Sequence, residues 1–321
     1  MSADHPSTTS PYQLAASVLA VLAGASLEAA AANNGMASAD LDDAVRLYQA
    51  AGLAALERRA GHTWYQVCVQ FSDWSTAEAV GAAQLGPRLD LLQAAGAAAG
   101  WWFLRKHPCW RLRLHDVDTT AVDHVLDELT AAGAIASWRP TIYEPETAAF
   151  GGLSGMDAVH DLFCADTRGA LDYMRHEAPG LGRRELSLVL LSGLMRAAGL
   201  DMFESGDVFD RVARLRPAPA DADAAGTERL TEHVRGLLSI PDPASSQLFA
   251  PGGPVAHAAP WLAAFQTAGR RLGAAAAQGL LDRGVRAVLT HVLIFHWNRF
   301  GLSAASQSIL ANAATTALLP S

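Results

Sequence analysis

The stretch GWWFLRKHPCWRLRLHD, Gly100 to Asp116, sets large apolar side chains among basic ones on either side of a proline break. It reads as two strands, Gly100–His107 and Trp110–Asp116, joined by a short turn around Pro108. Upstream, WYQVCVQF (Trp64–Phe71) is aromatic and β-branched, as a strand should be, and Ser75–Ala95 reads as a helix closing at Gly96. Downstream, Thr119–Ala132 places Val122, Val125, Leu126 and Leu129 on one helical face and closes at Gly133. SWRPTIYEPE (Ser137–Glu146) is the fourth strand, with Pro140 pointing to an edge or a bulge. The order β-α-β-β-α-β is that of a ferredoxin-like sheet with two helices on one face.

The flanks are helical, so the fold class is α+β in three parts. Residues 1–60 form a small N-terminal helical subdomain, 61–150 the ferredoxin-like part, and 151–321 a mostly helical C-terminal part. In the first part Ser26 and Ser38 suit N-caps. A helix-turn-helix spacing is visible there, but the second helix opens Ser38-Ala39-Asp40-Leu41-Asp42-Asp43, which would repel phosphate. The subdomain is expected to pack on its neighbour or on a protein partner. In the third part, helices are expected over Asp157–Met174, Arg183–Ala198, Phe203–Leu215, Glu228–Leu238, Ala259–Ala277 and Val285–Arg299. A Pro/Ala/Asp-rich linker lies at Arg216–Gly226 and a surface loop at Ile240–Pro254.

Composition narrows the function classes. Half of the 321 residues are hydrophobic and 17% are charged, enough to build a sizeable core, and the net charge of -8 argues against direct nucleic-acid binding. Cys68, Cys109 and Cys164 are widely spaced with no CxxC, which suits a reducing cytoplasm. No signal sequence and no membrane-spanning run is evident. P-loop, GxGxxG and GxSxG patterns are missing, and no HExxH or HxxxH offers metal-ligand spacing, so no metal or other cofactor is expected.

Two groups of residues carry candidate chemistry. With Lys106 opposite Trp110, Arg105 pairs with Arg111, and Trp102, Leu104, Trp110, Leu112 and Leu114 share the helix-covered face. Arg105, Arg111 and Arg113 then share the other. Like charges across a ladder destabilise it, so these arginines call for an anion: Glu144 or Glu146 internally, or a ligand carboxylate or phosphate. A one-residue slip would send Arg105 to the opposite face. The second group is HVLIFHWNRFGLS (His291–Ser303), where an apolar helix ends in His296, Asn298 and Arg299 before Gly301. His296 and Arg299 are spaced i, i+3, on one helix side. An imidazole beside guanidinium groups suits proton transfer near a carboxylate-bearing substrate.

WYQVCVQF, WWFLRKHPCWRLRL, TIYEPETAAFGG, GMDAVHDLF, ADTR, GRRELS and HWNRFGLS, in that order over about Gly61 to Leu318, resemble the thiopeptide-type bacteriocin biosynthesis family. That family is similar to the C-terminal elimination domain of class I lantibiotic dehydratases. The resemblance implies an enzyme acting on a ribosomal precursor peptide. A partner transfers glutamate from glutamyl-tRNA to Ser or Thr hydroxyls of the peptide. The elimination protein then removes the α-proton and expels glutamate, leaving dehydroalanine or dehydrobutyrine, with no cofactor. A homodimer is compatible with this scheme.

Carried over by motif, the family's Arg-x-Arg falls on Arg111 and Arg113, its histidine before Asn-Arg on His296, and an FIR-like position on Arg105. His296 is thus expected as general acid/base near Arg111 and Arg113, with the arginines as carboxylate holders. Arg299, Tyr143 and Glu146 are expected as substrate-binding residues around them. One departure stands out: where full-length dehydratases read Glu-x-x-Arg-Tyr-Gly-Gly, this chain has Ala149 in the arginine position. Arg105, Arg139 or Arg299 would have to take over the role of that arginine. The same fold family includes pyridine synthases, which join two dehydroalanines in a formal [4+2] cycloaddition, and this is the second expectation. A non-catalytic subunit that docks peptide or partner is the third.

Overall fold

Four strands make one antiparallel sheet in the computed structural model, which describes residues 10–61, 64–217 and 224–319. The polar residues 1–9, and most of the linker expected at 216–226, lie outside the described residues. The fold is mostly helical α+β, and the chain divides into two units, residues 1–62 and 63–321.

In the first unit, helices α1 (Pro11–Leu22), α2 (Leu27–Ala32) and α3 (Ser38–Gly61) surround a small core of Val18, Ala30, Ala31, Leu41 and Val45. Ser10 and Gln13 form a capping box at α1, and Ser26 caps α2 by accepting the Ala29 N–H. Ser38, expected as a cap, is the first residue of α3.

In the second unit, strands β1 (Trp64–Gln70), β2 (Gly100–Lys106), β3 (Cys109–His115) and β4 (Ser137–Thr141) lie in the order β2-β3-β1-β4. One face carries Val67, Val69, Trp101, Phe103, Trp110, Leu112 and Leu114. Against it pack Leu89 of α5 (Gly86–Ala94) and Val122, Leu126 and Leu129 of α6 (Thr119–Ala131). Asp118 caps α6 by accepting the Thr120 and Ala121 N–H groups. The other face carries Trp102 and Leu104, which join the large core of the C-terminal helices.

The hairpin register corrects the sequence expectation. The loop is two residues, His107–Pro108, so Lys106 pairs with Cys109, Arg105 with Trp110, Leu104 with Arg111 and Trp102 with Arg113. The one-residue shift reverses every side chain of β2. Arg111 and Arg113 share their face with Trp102 and Leu104, while Arg105 lies on the opposite face beside Trp110. Alternation could not decide this, because residues 100–104 are buried throughout. A strand covered on both sides shows no polar face.

Three further differences have local causes. The helix expected over Ser75–Ala95 is interrupted: α4 (Ala77–Val80) passes through a π turn at Gly81–Leu85 into α5. Pro87 has no N–H for an i→i-4 bond, and Gly81 lies against the Trp110 indole. The fourth strand stops at Thr141 because the Gln66 side-chain amide donates to the Ile142 carbonyl, 2.8 Å, where a strand partner would sit. The final helix escaped the sequence reading because its stripe is mostly alanine. It follows α7 (Leu153–Arg175), α8 (Arg183–Ala197), α9 (Met202–Leu215), α10 (Ala224–Leu238), α11 (Ala259–Ala277) and α12 (Val285–Arg299) as α13 (Ala304–Leu318). It buries Ala311, Ala313 and Ala314 between Leu310 and Leu318. No helix of the described residues is long and apolar enough to cross a membrane.

A side chain added at Gly81 would run into the Trp110 ring. Gly81→Val is expected to destabilise the fold by ~1–3 kcal/mol through overpacking, read by urea unfolding. Unchanged stability would mean that this helix does not pack on β3 as described.

Candidate functional site: three guanidinium groups and their counter-charges

Arg113 lies on β3, 2% exposed, with its guanidinium 4.3 Å from the Trp102 ring and 4.4 Å from the Tyr143 ring. Its Nε donates to Gln66 Oε1 at 2.7 Å, an orientation set by the Gln66 amide donating to Thr141 Oγ1 and the Ile142 carbonyl. Glu146 is its nearest carboxylate, at a loose 3.7 Å. Arg113 Nη1 and Glu146 Oε2 are both buried without a hydrogen-bond partner. An unpaired buried N–H of a charged group costs on the order of 1–3 kcal/mol or more. That makes Arg113 an unsaturated donor on the sheet face.

Next to it, Tyr143 Oη lies 2.8 Å from His160 Nε2. His160 sits on α7, its ring 4.4 Å from that of Trp64. Burial, together with the Arg113 and His115 charges, pushes the His160 imidazole down to about 3, so it is neutral at physiological pH. Burial raises the Tyr143 phenol above its ordinary value, with Arg113 pulling the other way. Half-buried Arg111 follows on the same face, one step along the strand, and pairs across the sheet with Cys68, which on its other side pairs with Arg139. Glu144 is exposed.

Arg105 is elsewhere. Its Nε donates to the Arg299 carbonyl at the end of α12, 2.9 Å, and its Nη1 pairs with Glu78 of α4. Arg183 holds the same carboxylate through both oxygens, at 2.8 and 2.6 Å. Burial opposes ionisation of Glu78, but Arg183 and Arg105 overcome it and hold its pKa at about 2. The counter-ion of Arg105 is therefore internal. This corrects the expectation of a shared three-arginine face.

The HWNR segment forms a third cluster, buried among helices. His296 is 1% exposed, with Nδ1 2.8 Å from Asp166 Oδ1 and Nε2 3.1 Å from Ser187 Oγ. Trp261 Nε1 donates to the same Asp166 oxygen at 2.9 Å, and Trp297 Nε1 to Ser187 Oγ at 2.7 Å. Arg299 Nη1 pairs with Asp166 Oδ2, and its Nε donates to the Phe103 carbonyl of β2 at 3.0 Å, while its Nη2 has no hydrogen-bond partner. Burial pushes the Asp166 carboxyl up, but His296 and Arg299 prevail and hold it below its ordinary value. The ring contacts of His296 go to Trp261, Phe265 and Phe300. Among the described residues, neither its hydrogen bonds nor its ring contacts reach Arg111 or Arg113, so the expected meeting of His296 with those arginines does not appear in its contacts. The two arginine clusters do share one element: Arg299 lies 5.4 Å from the Trp102 ring that Arg113 also covers.

Sequence reasoning missed Asp166, His160 and Glu78. Asp166 left a signal. It falls on the apolar stripe of α7 with Val159, Leu162, Phe163 and Ala170, and a carboxylate there needs buried cations. His160 and Glu78 left none, because their partners are distant in the chain. Among the described residues, no cluster of His, Cys, Asp or Glu is arranged to hold a metal ion.

These charges should be measurable as stability. Asp166→Ala strands the buried Arg299 and is expected to cost ~3–5 kcal/mol in urea unfolding; a neutral outcome would contradict the pairing. Glu78, depressed from 4.5 to about 2, contributes stability that is complete above 4.5 and is lost as pH falls towards 2. The stability gap between wild type and Glu78→Gln should therefore close over that interval. A gap that does not change with pH would show that Arg105 and Arg183 do not hold the carboxylate.

Among solved structures, the chain is similar to the tRNA-dependent lantibiotic dehydratase MibB from Microbispora sp. 107891 (17% identity, TM-score 0.59, 80% of this chain), but spans only 28% of that protein. It is similar to the pyridine synthase TbtD from thiomuracin biosynthesis (15% identity, TM-score 0.57), covering 80% of this chain and 97% of that one. It is also similar to TsrL (17% identity, TM-score 0.50), covering 81% and 100%. At these identities the likeness speaks for the fold alone. No curated protein matches the sequence. The family model described as "Lantibiotic biosynthesis dehydratase C-term" matches residues 64–318, which takes in every residue of the three clusters, and the chain belongs to that family.

Proposed function

We infer that the chain eliminates glutamate from glutamylated Ser or Thr residues of a ribosomally made precursor peptide, leaving dehydroalanine or dehydrobutyrine. A separate partner would install the glutamate from glutamyl-tRNA. The family association with the elimination step supports the class of reaction. The observation that carries it is Arg113, a buried guanidinium whose Nη1 has no partner and whose carboxylate neighbour is only loosely held. The strand order β2-β3-β1-β4, with every neighbour antiparallel, supports a ferredoxin-like description of the sheet that presents it.

In the elimination, a proton leaves Cα, the Cα=Cβ double bond forms, and the Cβ–O bond breaks. Negative charge develops on the departing carboxylate. A donor held in place before that charge appears stabilises the transition state more than the ground state, and Arg113 Nη1 suits this role. Arg111 on the same face offers a second cation. Three arginines could stand in for the family arginine that Ala149 replaces, but Arg105 is committed to Glu78 and Arg299 to Asp166. That leaves Arg139, across Cys68 from Arg111, to hold the free carboxylate of the glutamyl group. His296, with both ring nitrogens engaged inside the helices, is assigned to holding this frame rather than to moving the proton.

A second reading, formal [4+2] cycloaddition between two dehydroalanines, draws on Ala149: a site with one carboxylate holder fewer suits a substrate without a glutamyl group. Mass spectrometry after incubation with a glutamylated peptide and with an already dehydrated peptide separates the two. Loss of glutamic acid from the first is expected. Ring formation with leader release from the second would replace elimination, and turnover of neither would leave a docking subunit. Arg113→Ala is expected to lower glutamate release by ~10²–10³-fold, the usual effect of deleting one oxyanion donor.

A further inference from the structure

We propose that Tyr143 is the residue that takes the substrate α-proton and that His160, through the Tyr143 hydroxyl, is the group that finally holds it. This rests on the elimination reading above and supplies the base which that reading lacks.

The geometry is that of a relay. Tyr143 Oη and His160 Nε2 are 2.8 Å apart, and the guanidinium carbon of Arg113 sits 4.4 Å from the centroid of the phenol ring. The unpartnered Arg113 Nη1 is therefore in the same cluster as the phenol oxygen. A leaving carboxylate held there would place its peptide carbon beside the relay, as proximity requires. Trp64, Trp102 and Tyr143 surround the His160 ring at 4.4, 6.3 and 5.9 Å between centroids, which fixes its orientation.

The step balances. The phenol oxygen accepts the Cα proton while its own O–H proton passes to His160 Nε2. The C–H electron pair becomes the Cα=Cβ bond, the Cβ–O bond breaks, and glutamate departs as a carboxylate at Arg113. The phenol ends the step protonated as it began, and the imidazolium returns its proton to solvent to restore the neutral imidazole.

Electrostatics link the relay to the departure of the leaving group. The charged and titratable groups facing His160 are Arg113 and His115 of β3 and Tyr143 of the segment after β4. Burial and the two β3 residues hold the imidazole neutral, with its Nε2 against the Tyr143 hydroxyl. Negative charge builds on the leaving carboxylate at Arg113 only as the Cβ–O bond breaks, and it then offsets the Arg113 charge that disfavours a protonated His160. Proton acceptance and leaving-group departure are thus coupled through one guanidinium.

The test uses the full chain and a glutamylated peptide deuterated at Cα of the modified residue. Tyr143→Phe keeps the ring and its stacking on Arg113, and His160→Ala opens room for free imidazole. Tyr143→Phe is expected to lower kcat by ~10²–10⁴-fold, the range for a general base, with KM kept and a primary isotope effect larger than that of wild type. His160→Ala should fall similarly and recover in part with added imidazole, which a merely structural role would not produce. Melting transitions of both variants report that they fold. Glutamate release by wild type with an unchanged rate in Tyr143→Phe would overturn the relay and leave elimination standing. Failure of wild type to release any glutamate would overturn the elimination reading, and the relay with it.

Discussion

The carboxylate of Asp166 is the constraint on which the rest of the second unit depends. It is 1% exposed and sits in the middle of α7, where an apolar residue would be the ordinary choice. Both oxygens are used: one accepts from Trp261 and lies against His296, the other pairs with Arg299. Arg299 in turn reaches the Phe103 carbonyl, so one charge connects α7, α11, α12 and strand β2. A buried ion pair gives little net stability against a well-packed apolar alternative, yet breaking it by removing one partner costs much. Its effect here is to fix where the end of α12 meets the sheet.

That junction explains how the arginines divide. The two-residue hairpin turn sends Arg105 to one face and Arg111 with Arg113 to the other. The end of α12 leaves carbonyls without a helical partner, which favour a cation, and Arg105 and Arg183 donate to the carbonyls of Arg299 and Phe300 while sharing Glu78. Arg299 keeps one idle nitrogen, Nη2, but Asp166 neutralises its charge. Arg113 alone combines an idle N–H with a counter-ion as loose as 3.7 Å among these buried arginines. The asymmetry is what singles out one guanidinium from a set that looks equivalent in the sequence. Its neighbours Tyr143 and His160 come from the segment after β4 and from α7, so the cluster exists only where the sheet meets the helical layer.

One fold can carry different chemistry. Dehydratase and pyridine synthase structures are both similar to this chain over about four-fifths of its length, so likeness of backbone does not by itself fix the reaction. On the proposed reading, the side chains on the Arg113 face choose: how many cations remain free, and whether a base stands beside them. On that reading Ala149 leaves one cation fewer than the dehydratase motif, and the Tyr143–His160 pair supplies the acid–base group.

Much of this was determined by the sequence itself. Trp64–Gln70, the hairpin strands, the amphipathic α6 and helices such as Ala259–Ala277 are written in local periodicity, because each buries a face that its own spacing defines. Motif order was enough to indicate the family, and Arg113 was named from it. The tertiary structure decided the hairpin register, since a strand buried on both faces shows no alternation by which to choose. It also decided the partners of every charge. Glu78 with Arg105 is a pairing across 27 residues and Asp166 with His296 one across 130, and nothing local distinguishes a solvated carboxylate from one caged between helices. The HWNR histidine, conspicuous in the sequence, proved to be enclosed, whereas His160, inconspicuous there, lies beside the open guanidinium. Residue type is a property of the chain, but desolvation and counter-charge are properties of the fold, and those are what set the chemistry of an ionisable group.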